Sequence, residues 1–570
     1  MSKQNKKVHI YLPFFLICFA FLVIVTRLYS LQIINHEEFK QQVSKSQVRK
    51  VDILPERGII YDRNLEKLAI NIPSYSLYAY PKKISHPEEV AGKLSSILGM
   101  KKSSLVKQLK KEKVFLWLKR KLPLIKKERI EALALEGIGF VEETERFYPQ
   151  KELASHLLGF TGIDNQGLAG VELCYEEELR GKRGHFLIRK DALGYEIPLT
   201  RRVTQGLVPG MDLVLTIDNI IQSIVEKEIS LALEETEARS VEALFMNPQT
   251  GEILALANKP DYDPNHYSDF SPFFRRNRVV HSIYEPGSTF KPVTASAILE
   301  EELITMEESV YCEGTIKIAS HTFHDWKPFN QDFTLADILQ NSSSIGMIKL
   351  ASRMDKEIFS EYLHLFGFGE KTGIDLPGEA KGIVRDASSW SLTDLPAISI
   401  GQAIAITPLQ MLTAFCALVN GGELLKPYLV KYIRNAEGKR IKENRPTVVR
   451  RVISASTSAQ IKELLERVVE DGTGRRAKIE GYSIGGKTGT AQVPALAGRG
   501  YIPNKYISSF MGFAPVASLG IAGIVIIKEP TGAYYGGEIA APLFQRIMKR
   551  VLPYLDILPE QEEWVTVRVS

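Results

Sequence analysis

Ser288 and Lys291, inside Glu285-Pro286-Gly287-Ser288-Thr289-Phe290-Lys291, set a hydroxyl and an amine three residues apart, and Lys487-Thr488-Gly489-Thr490 follows about two hundred residues later. A serine hydroxyl is a poor nucleophile at neutral pH and needs a base beside it. Lysine supplies one when burial or a neighbouring cation lowers its pKa towards neutrality. Positions i and i+3 share a helix face, so the Lys291 amine is expected to reach the Ser288 hydroxyl. Lys487 is the candidate second cation. The chemistry these parts suit is acyl transfer through a serine ester.

Each motif has a decoy in the same chain: S-x-x-K recurs at Ser104–Lys107 and K-T-G at Lys371-Thr372-Gly373. Setting separates the copies. Ser104 lies in KKSSLVKQLKKEK, a solvated helix face, and Lys371 lies in the Gly- and Pro-rich FGFGEKTGIDLPGE, a turn. Ser288 instead follows a Pro-Gly turn and opens the apolar PVTASAILEEELI. Pro292 is tolerated only in a first helical turn, which places Ser288 at the helix N-terminus, among free N–H groups suited to a developing oxyanion. The second K-T-G sits in a strand-like GYSIGGKTGTAQV. Gly485, Gly486 and Gly489 allow another backbone to approach, so that a peptide adds alongside as a strand. Lys487, Thr488 and Thr490 would then hold its carboxylate by charge and hydroxyl hydrogen bonds.

Between Lys291 and Lys487 no S-x-N or Y-x-N occurs, and the nearest candidate is Ser342-Ser343-Ser344 in LADILQNSSSIGMIKLA. Ser342 can relay a proton or bond to Lys291. Ser344 stands where an asparagine is expected and lacks the two N–H donors of an amide. Asn341 is out of phase. A serine cluster before an apolar run is otherwise an N-cap.

These motifs, with RGIIYDRN (57–64), GLAGVE (167–172), PGMDLVLTID (209–218), NPQTGEILALANKPDYDPN (247–265), GIDLPGE (373–379), GQAIAITPLQML (401–412) and FMGFAP (510–515), resemble the class B penicillin-binding proteins over nearly the whole chain, most of all the FtsI-like cell-division transpeptidases (penicillin-binding protein 3). The resemblance implies an α+β architecture: one transmembrane helix, an elongated pedestal, and a β-lactamase/transpeptidase-like domain of antiparallel sheet and helical cluster. It implies that Ser288, deprotonated by Lys291, attacks the D-Ala–D-Ala amide of a peptidoglycan stem peptide. Ser342 passes a proton to the leaving D-alanine, Lys487 tunes the charge, and the N–H groups of Ser288 and Thr490 hold the oxyanion. An amine of a neighbouring stem then closes the cross-link. β-Lactams acylate Ser288 as mimics, and a polytopic membrane glycosyltransferase of the FtsW type, with other divisome proteins, is the implied partner.

Lys3, Lys6 and Lys7 precede an apolar stretch from Val8 to Val25, broken mildly by His9 and Pro13. With Thr26 and Arg27 it reaches the length of about 20 residues that spans a bilayer. No small-residue cleavage site follows, so an uncleaved anchor with its N-terminus inside is expected, placing the bulk of the chain outside the cytoplasmic membrane. A net charge of +5 gives no reason to invoke nucleic acid. Cys18, Cys174, Cys312 and Cys416 show neither C-x-x-C nor metal spacing, and His321 and His324 near Asp325 lack a further ligand, so no metal or cofactor is expected.

The expected organisation is a cytoplasmic tail (1–7), an anchor (8–28), the pedestal (29–205), a linker and packing helix (206–239), the catalytic domain (240–552) and a tail (553–570). Strand-like VEALFMN, GEILALAN and GIAGIVIIKE frame the helical stretches that carry the serines, as in an α+β layer fold. Residues 50–205 offer no acidic motif of a glycosyltransferase. Two readings stay open beside cross-linking: a D,D-carboxypeptidase that passes the acyl group to water, and a weakly catalytic divisome scaffold that binds β-lactams.

Overall fold

The computed structural model describes residues 4–40, 48–53, 55–189, 202–495 and 500–559. The first three residues of the expected cytoplasmic tail, 41–47 of the expected pedestal and the end of the tail from 560 lie outside the described residues.

The chain forms two compact units. The first comprises 1–56 with 181–209. It holds the helix Gln4–Tyr29, which runs on as a π turn, Ser30–Ile34. Residues Leu12–Ile34 have a mean hydropathy of 2.3 and bury nothing against the protein, so this helix is long and apolar enough to cross a membrane. The same unit carries a three-stranded antiparallel sheet, with Gly184–Arg189 between Val48–Ile53 and Arg202–Gln205.

The second unit, 57–180 with 210–570, is built on two large sheets. One has seven strands in the order Arg440–Glu443, Val430–Arg434, Asp212–Leu215, Ile60–Tyr61, Lys67–Ala79 and Leu116–Leu122, with Ile138–Phe147 also paired to Lys67–Ala79. Residues 212–215, expected in a linker, are therefore a strand. Leu213, Val214 and Leu215 are fully buried, and Leu213 pairs in parallel with Ile60. The span 29–205 is correspondingly not one body: 57–180 is built into the unit that carries the catalytic motifs.

Buried charge pins this region. Arg57 donates to Glu172 (Nε to Oε2, 2.6 Å) and to Glu176 (2.5 Å), while Arg146 donates to Glu172 Oε1 (2.6 Å) and to the Gly58 carbonyl (2.8 Å). Burial alone would raise the pKa of Glu172, but the two guanidiniums outweigh it and hold the carboxyl below its ordinary value. Gly58 admits no side chain, since a Cβ there would lie 1.8 Å from the Met211 carbonyl oxygen. Asp62 accepts from the backbone N–H groups of Asn64, Glu66 and Asn219. Arg57, Gly58 and Asp62 all act on the fold.

The second sheet is antiparallel, in the order Ile253–Lys259, Ser240–Met246, Ile521–Lys528, Tyr501–Ala514, Gly485–Pro494. Its middle strands are apolar on both faces because both are covered. Ala243 and Phe245 face the helices Asn219–Thr236 and Gly536–Tyr554, whereas Leu244 and Met246 face the helical cluster that contains Phe290 and Val293. Asp218 caps the first of those helices, accepting from the N–H groups of Ile220 and Ile221. Gly485–Pro494 is left at the sheet edge beside the helical cluster, and the site forms there.

Candidate active site

Ser288 lies in the 3₁₀ turn Gly287–Phe290, which runs directly into the helix Lys291–Glu300 with Pro292 in its first turn. The turn is held from behind. Gly287 N donates to the Gly401 carbonyl at 3.0 Å, and a Cβ on Gly401 would lie 2.2 Å from the Gly287 oxygen, so GQAIAITP needs glycine at this point. Ser288 is partly exposed, its hydroxyl makes no hydrogen bond among the described residues, and it opens on a groove of about 990 Å³.

Lys291 is fully buried, and its amine does not bond to Ser288 as its spacing suggested. It donates to the Ser342 carbonyl oxygen (2.6 Å), Ser342 Oγ (3.4 Å) and Ser344 Oγ (3.2 Å). Ser344 therefore sits on the lysine. The helix Leu335–Asn341 ends at Ser342 in the left-handed conformation (φ 58°), which turns that carbonyl and hydroxyl towards the amine. Ser343 then caps the helix Ser344–Ala351, accepting from Gly346 N at 3.0 Å. Asn341 turns away, its amide donating to the Asp337 carbonyl.

Asp325, which sequence reasoning considered only as a metal ligand, fixes this serine loop. Its carboxylate accepts from Ser343 Oγ (3.0 Å), Ile345 N (3.2 Å) and Ser344 N. His321 and His324 beside it are exposed, and among the described residues no group of three metal-ligating side chains occurs. Burial pushes the Lys291 amine down to about 7, with Asp325 acting in the opposite direction.

Lys487, in the edge strand, is equally buried. Its amine donates to Ser342 Oγ (3.0 Å) and the Thr488 carbonyl (3.2 Å), so one serine hydroxyl lies between two lysines. Burial first, and Lys291 second, hold Lys487 well below its ordinary value. Gly489 lets the strand lie against the nucleophile turn, since a Cβ there would meet Ser509 Oγ at 2.5 Å and Thr289 Cγ2 at 2.8 Å. Thr488 Oγ1 donates to Thr473 Oγ1 (2.9 Å), and Thr490 Oγ1 accepts from Gly536 N (3.0 Å). Ser288, Ser342, Ser344, Thr488, Gly489 and Thr490 all line the groove, with Thr473 and Arg475, which the sequence reading did not single out.

The decoys lie in the settings expected of them. Ser104 and Lys107 are exposed on the helix Lys102–Leu109. Thr372 is tied through its N–H and hydroxyl to Glu379 (both 2.6 Å) in a loop, with Lys371 exposed.

Residues 241–549 match the penicillin binding protein transpeptidase domain family, and residues 52–215 match the penicillin-binding protein dimerisation domain. The chain belongs to the class B penicillin-binding proteins. It is 36% identical to the stage V sporulation protein D of Bacillus subtilis over 552 residues, covering 95% of this chain and 85% of that one. Identity to the peptidoglycan D,D-transpeptidase FtsI of Escherichia coli K12 is 31% over 555 residues, 96% of this chain and 91% of the relative. Among solved structures, penicillin-binding protein 3 of Mycobacterium tuberculosis in complex with aztreonam superposes with a TM-score of 0.71 at 27% identity, covering 90% of this chain and 98% of that one.

Proposed function

We propose that this class B penicillin-binding protein is a peptidoglycan D,D-transpeptidase that cross-links stem peptides through a Ser288 ester. The observation that carries this reading is the pair of buried lysines meeting at Ser342 Oγ (3.0 and 3.4 Å) beneath a groove that opens on Ser288. A lysine held near neutrality by burial is a base of suitable strength at physiological pH. Lys291 takes the Ser288 proton as Oγ attacks the D-Ala–D-Ala carbonyl, which requires the serine to turn towards the amine when substrate binds. Ser288 and Thr490 N–H groups hold the oxyanion, and Ser342, polarised by Lys487, returns a proton to the leaving D-alanine. The donor peptide lies along the edge strand at Thr488–Thr490, and Ser344 steadies Lys291. β-Lactams take the same place.

The apolar N-terminal helix anchors the protein in the cytoplasmic membrane with its leading lysines inside and the catalytic unit outside. Likeness to FtsI supports septal wall synthesis beside a polytopic glycosyltransferase of the FtsW type. Greater identity to a relative named for stage V of sporulation supports a second setting, the wall of a developing spore. Depleting the protein in growing and in sporulating cells separates the two.

The test of the chemistry is labelling of the full chain in detergent with a fluorescent penicillin, beside Ser288→Ala, followed by incubation with lipid-linked peptidoglycan polymer. Labelling that disappears in the alanine variant, with cross-linked dimers formed by the wild type, is expected. Released D-alanine without dimers would make it a carboxypeptidase. Labelling without either product would leave a scaffold that binds β-lactams, and absence of labelling would overturn the reading.

A further inference from the structure

Charge is spread unevenly along the chain. Residues 101–127 carry eleven lysines and arginines against a single acid, Glu112, a net +10 in a chain of net +5, so all the rest together is net negative. A polyanion therefore finds its counter-charge here.

This stretch folds as the helix Lys102–Leu109, a loop and the strand Leu116–Leu122. The strand pairs with Lys67–Ala79, which pairs on its other side with Ile138–Phe147. One face of the three strands is closed by helices, with Leu77, Ala79 and Leu118 packed in a core with Leu94 and Leu105. The opposite face carries aromatic rings. Phe115 and Trp117 are 39% and 38% exposed, and Tyr78 and Tyr80 are half-buried. Tyr78 stacks on Phe115 (centroids 5.3 Å apart), while Trp117 and Tyr80 stand edge-on to Phe115 at 4.9 and 6.0 Å. Gly139 makes room for this: a Cβ there would lie 2.4 Å from the Tyr78 hydroxyl, so the tyrosine lies down across the neighbouring strand. The rings brace one another and form a platform set before any ligand arrives, which lowers the entropy cost of binding.

Cations stand at its margin. The Arg120 guanidinium lies 5.7 Å from the Trp117 ring and the Lys83 amine 5.6 Å from that of Tyr80. Lys82, Lys113 and Lys119, each within two residues of one of the rings, are exposed and pair with no carboxylate among the described residues. Open ring faces with cations beside them suit a chain of sugars that bears anionic groups. The C–H bonds of a pyranose face pack on an electron-rich ring, and ammonium groups meet carboxylates. A lipid surface would instead take apolar side chains standing clear of one another, whereas these rings are held by their neighbours.

We propose that this face is a second binding site for the polymer on which the protein acts, with the glycan of an uncross-linked strand on Tyr78, Phe115 and Trp117 and the carboxylates of its stem peptides at Lys113 and Lys119. This rests on the transpeptidase reading, which makes the substrate a sugar polymer with anionic peptides. The platform belongs to the same compact unit as Ser288 but to the other large sheet. A strand held there stays at high effective concentration for one cross-link after another.

The test measures binding of fluorescently labelled, uncross-linked peptidoglycan strands to the full chain in detergent, with Ser288 first acylated by benzylpenicillin so that the groove is occupied. Phe115→Ala/Trp117→Ala is expected to weaken binding roughly five- to a hundredfold, and Phe115→Tyr/Trp117→Tyr to retain it. Lys113→Glu/Lys119→Glu weakens binding of intact strands roughly three- to tenfold, but not of strands whose peptides an amidase has removed. Acylation rate and melting midpoint stay at the wild-type values in all three variants. Strands that bind the alanine variant as well as the wild type overturn the proposal. So does displacement by polyglutamate or by dihexanoylphosphatidylglycerol when the stripped strands do not bind, which marks a general anion surface or a lipid contact. A wild type that reacts with benzylpenicillin yet binds no strand sinks this proposal alone, whereas one that fails to react removes the transpeptidase reading itself.

Discussion

Two clusters of buried charge in the same compact unit are organised on opposite terms. Around Glu172, Arg57 and Arg146 close on one carboxylate at 2.6 Å each, with Glu176 beside them, so every charge has a partner and Glu172 stays ionised. Around Ser342, Lys291 and Lys487 are buried with hydroxyls and carbonyls as partners, and Asp325 is the carboxylate that acts on Lys291. The first cluster offsets desolvation with ion pairs and fixes architecture. The second leaves desolvation largely uncompensated, so its amines give up protons, and a lysine made neutral in this way becomes a usable base.

Four outcomes break or sharpen this contrast. Lys291→Met lowers the rate of acylation by fluorescent penicillin by roughly 10²–10⁴-fold. Its melting midpoint in calorimetry stays unchanged or rises, because a poorly compensated cation has gone. A fall in stability to match the lost rate would make the two clusters alike. Glu172→Gln does the reverse. It leaves two guanidiniums buried and undercompensated, costing about 3–5 kcal/mol in urea unfolding while the folded fraction acylates at the wild-type rate.

The third outcome is a divergence in pH dependence. Folded Lys291 and Lys487 have depressed pKa values, so unfolding takes up protons between about 7 and the ordinary lysine value, and stability climbs with pH across that window. Glu172 is also depressed, but as a carboxylate its contribution is complete above the ordinary glutamate range and is lost as the pH falls through its folded value. Chemical denaturation at a series of pH values should show both limbs, with Lys291→Met flattening only the alkaline one. Acylation should rise with pH to a plateau above about 7. The smallest effect is that of Asp325→Asn, which can keep the serine loop in place while removing the carboxylate that holds Lys291 up. The acid limb of acylation then moves to lower pH by less than about one unit, and an upward movement would contradict the assignment.

What the sequence could show depended on how far apart the cooperating residues lie along the chain. Ser288 and Lys291 are neighbours with an unmistakable Pro-Gly entry, and the texture around each K-T-G told the strand from the turn. VEALFMN and GIAGIVIIKE read as buried strands because both their faces are covered, which leaves an unbroken apolar run. Asp325 gave no such signal. It belongs to a separate hairpin and acts on backbone N–H groups 19 and 20 residues away, a contact no periodicity encodes. Thr473 and Arg475 read as an ordinary DGTG turn until the edge strand is laid beside them. Asp212–Leu215 carries no strand signal because it is a short run directly after Gly206 and Gly210, and its partners lie about 150 residues upstream and 215 downstream.

That short strand bears on how the molecule could be cut. Residues 212–215 join Ile60–Tyr61 on one side and Val430–Arg434 on the other, so the seven-stranded sheet is threaded through both matched families. A fragment restarted at 241 would strip Val430–Arg434 of its neighbour and bare a strand edge to water and to other copies of itself. The recognisable unit of inheritance and the smallest piece able to stand alone are thus different lengths of chain. Shuffling of the catalytic half between proteins must carry a splint from the other half with it.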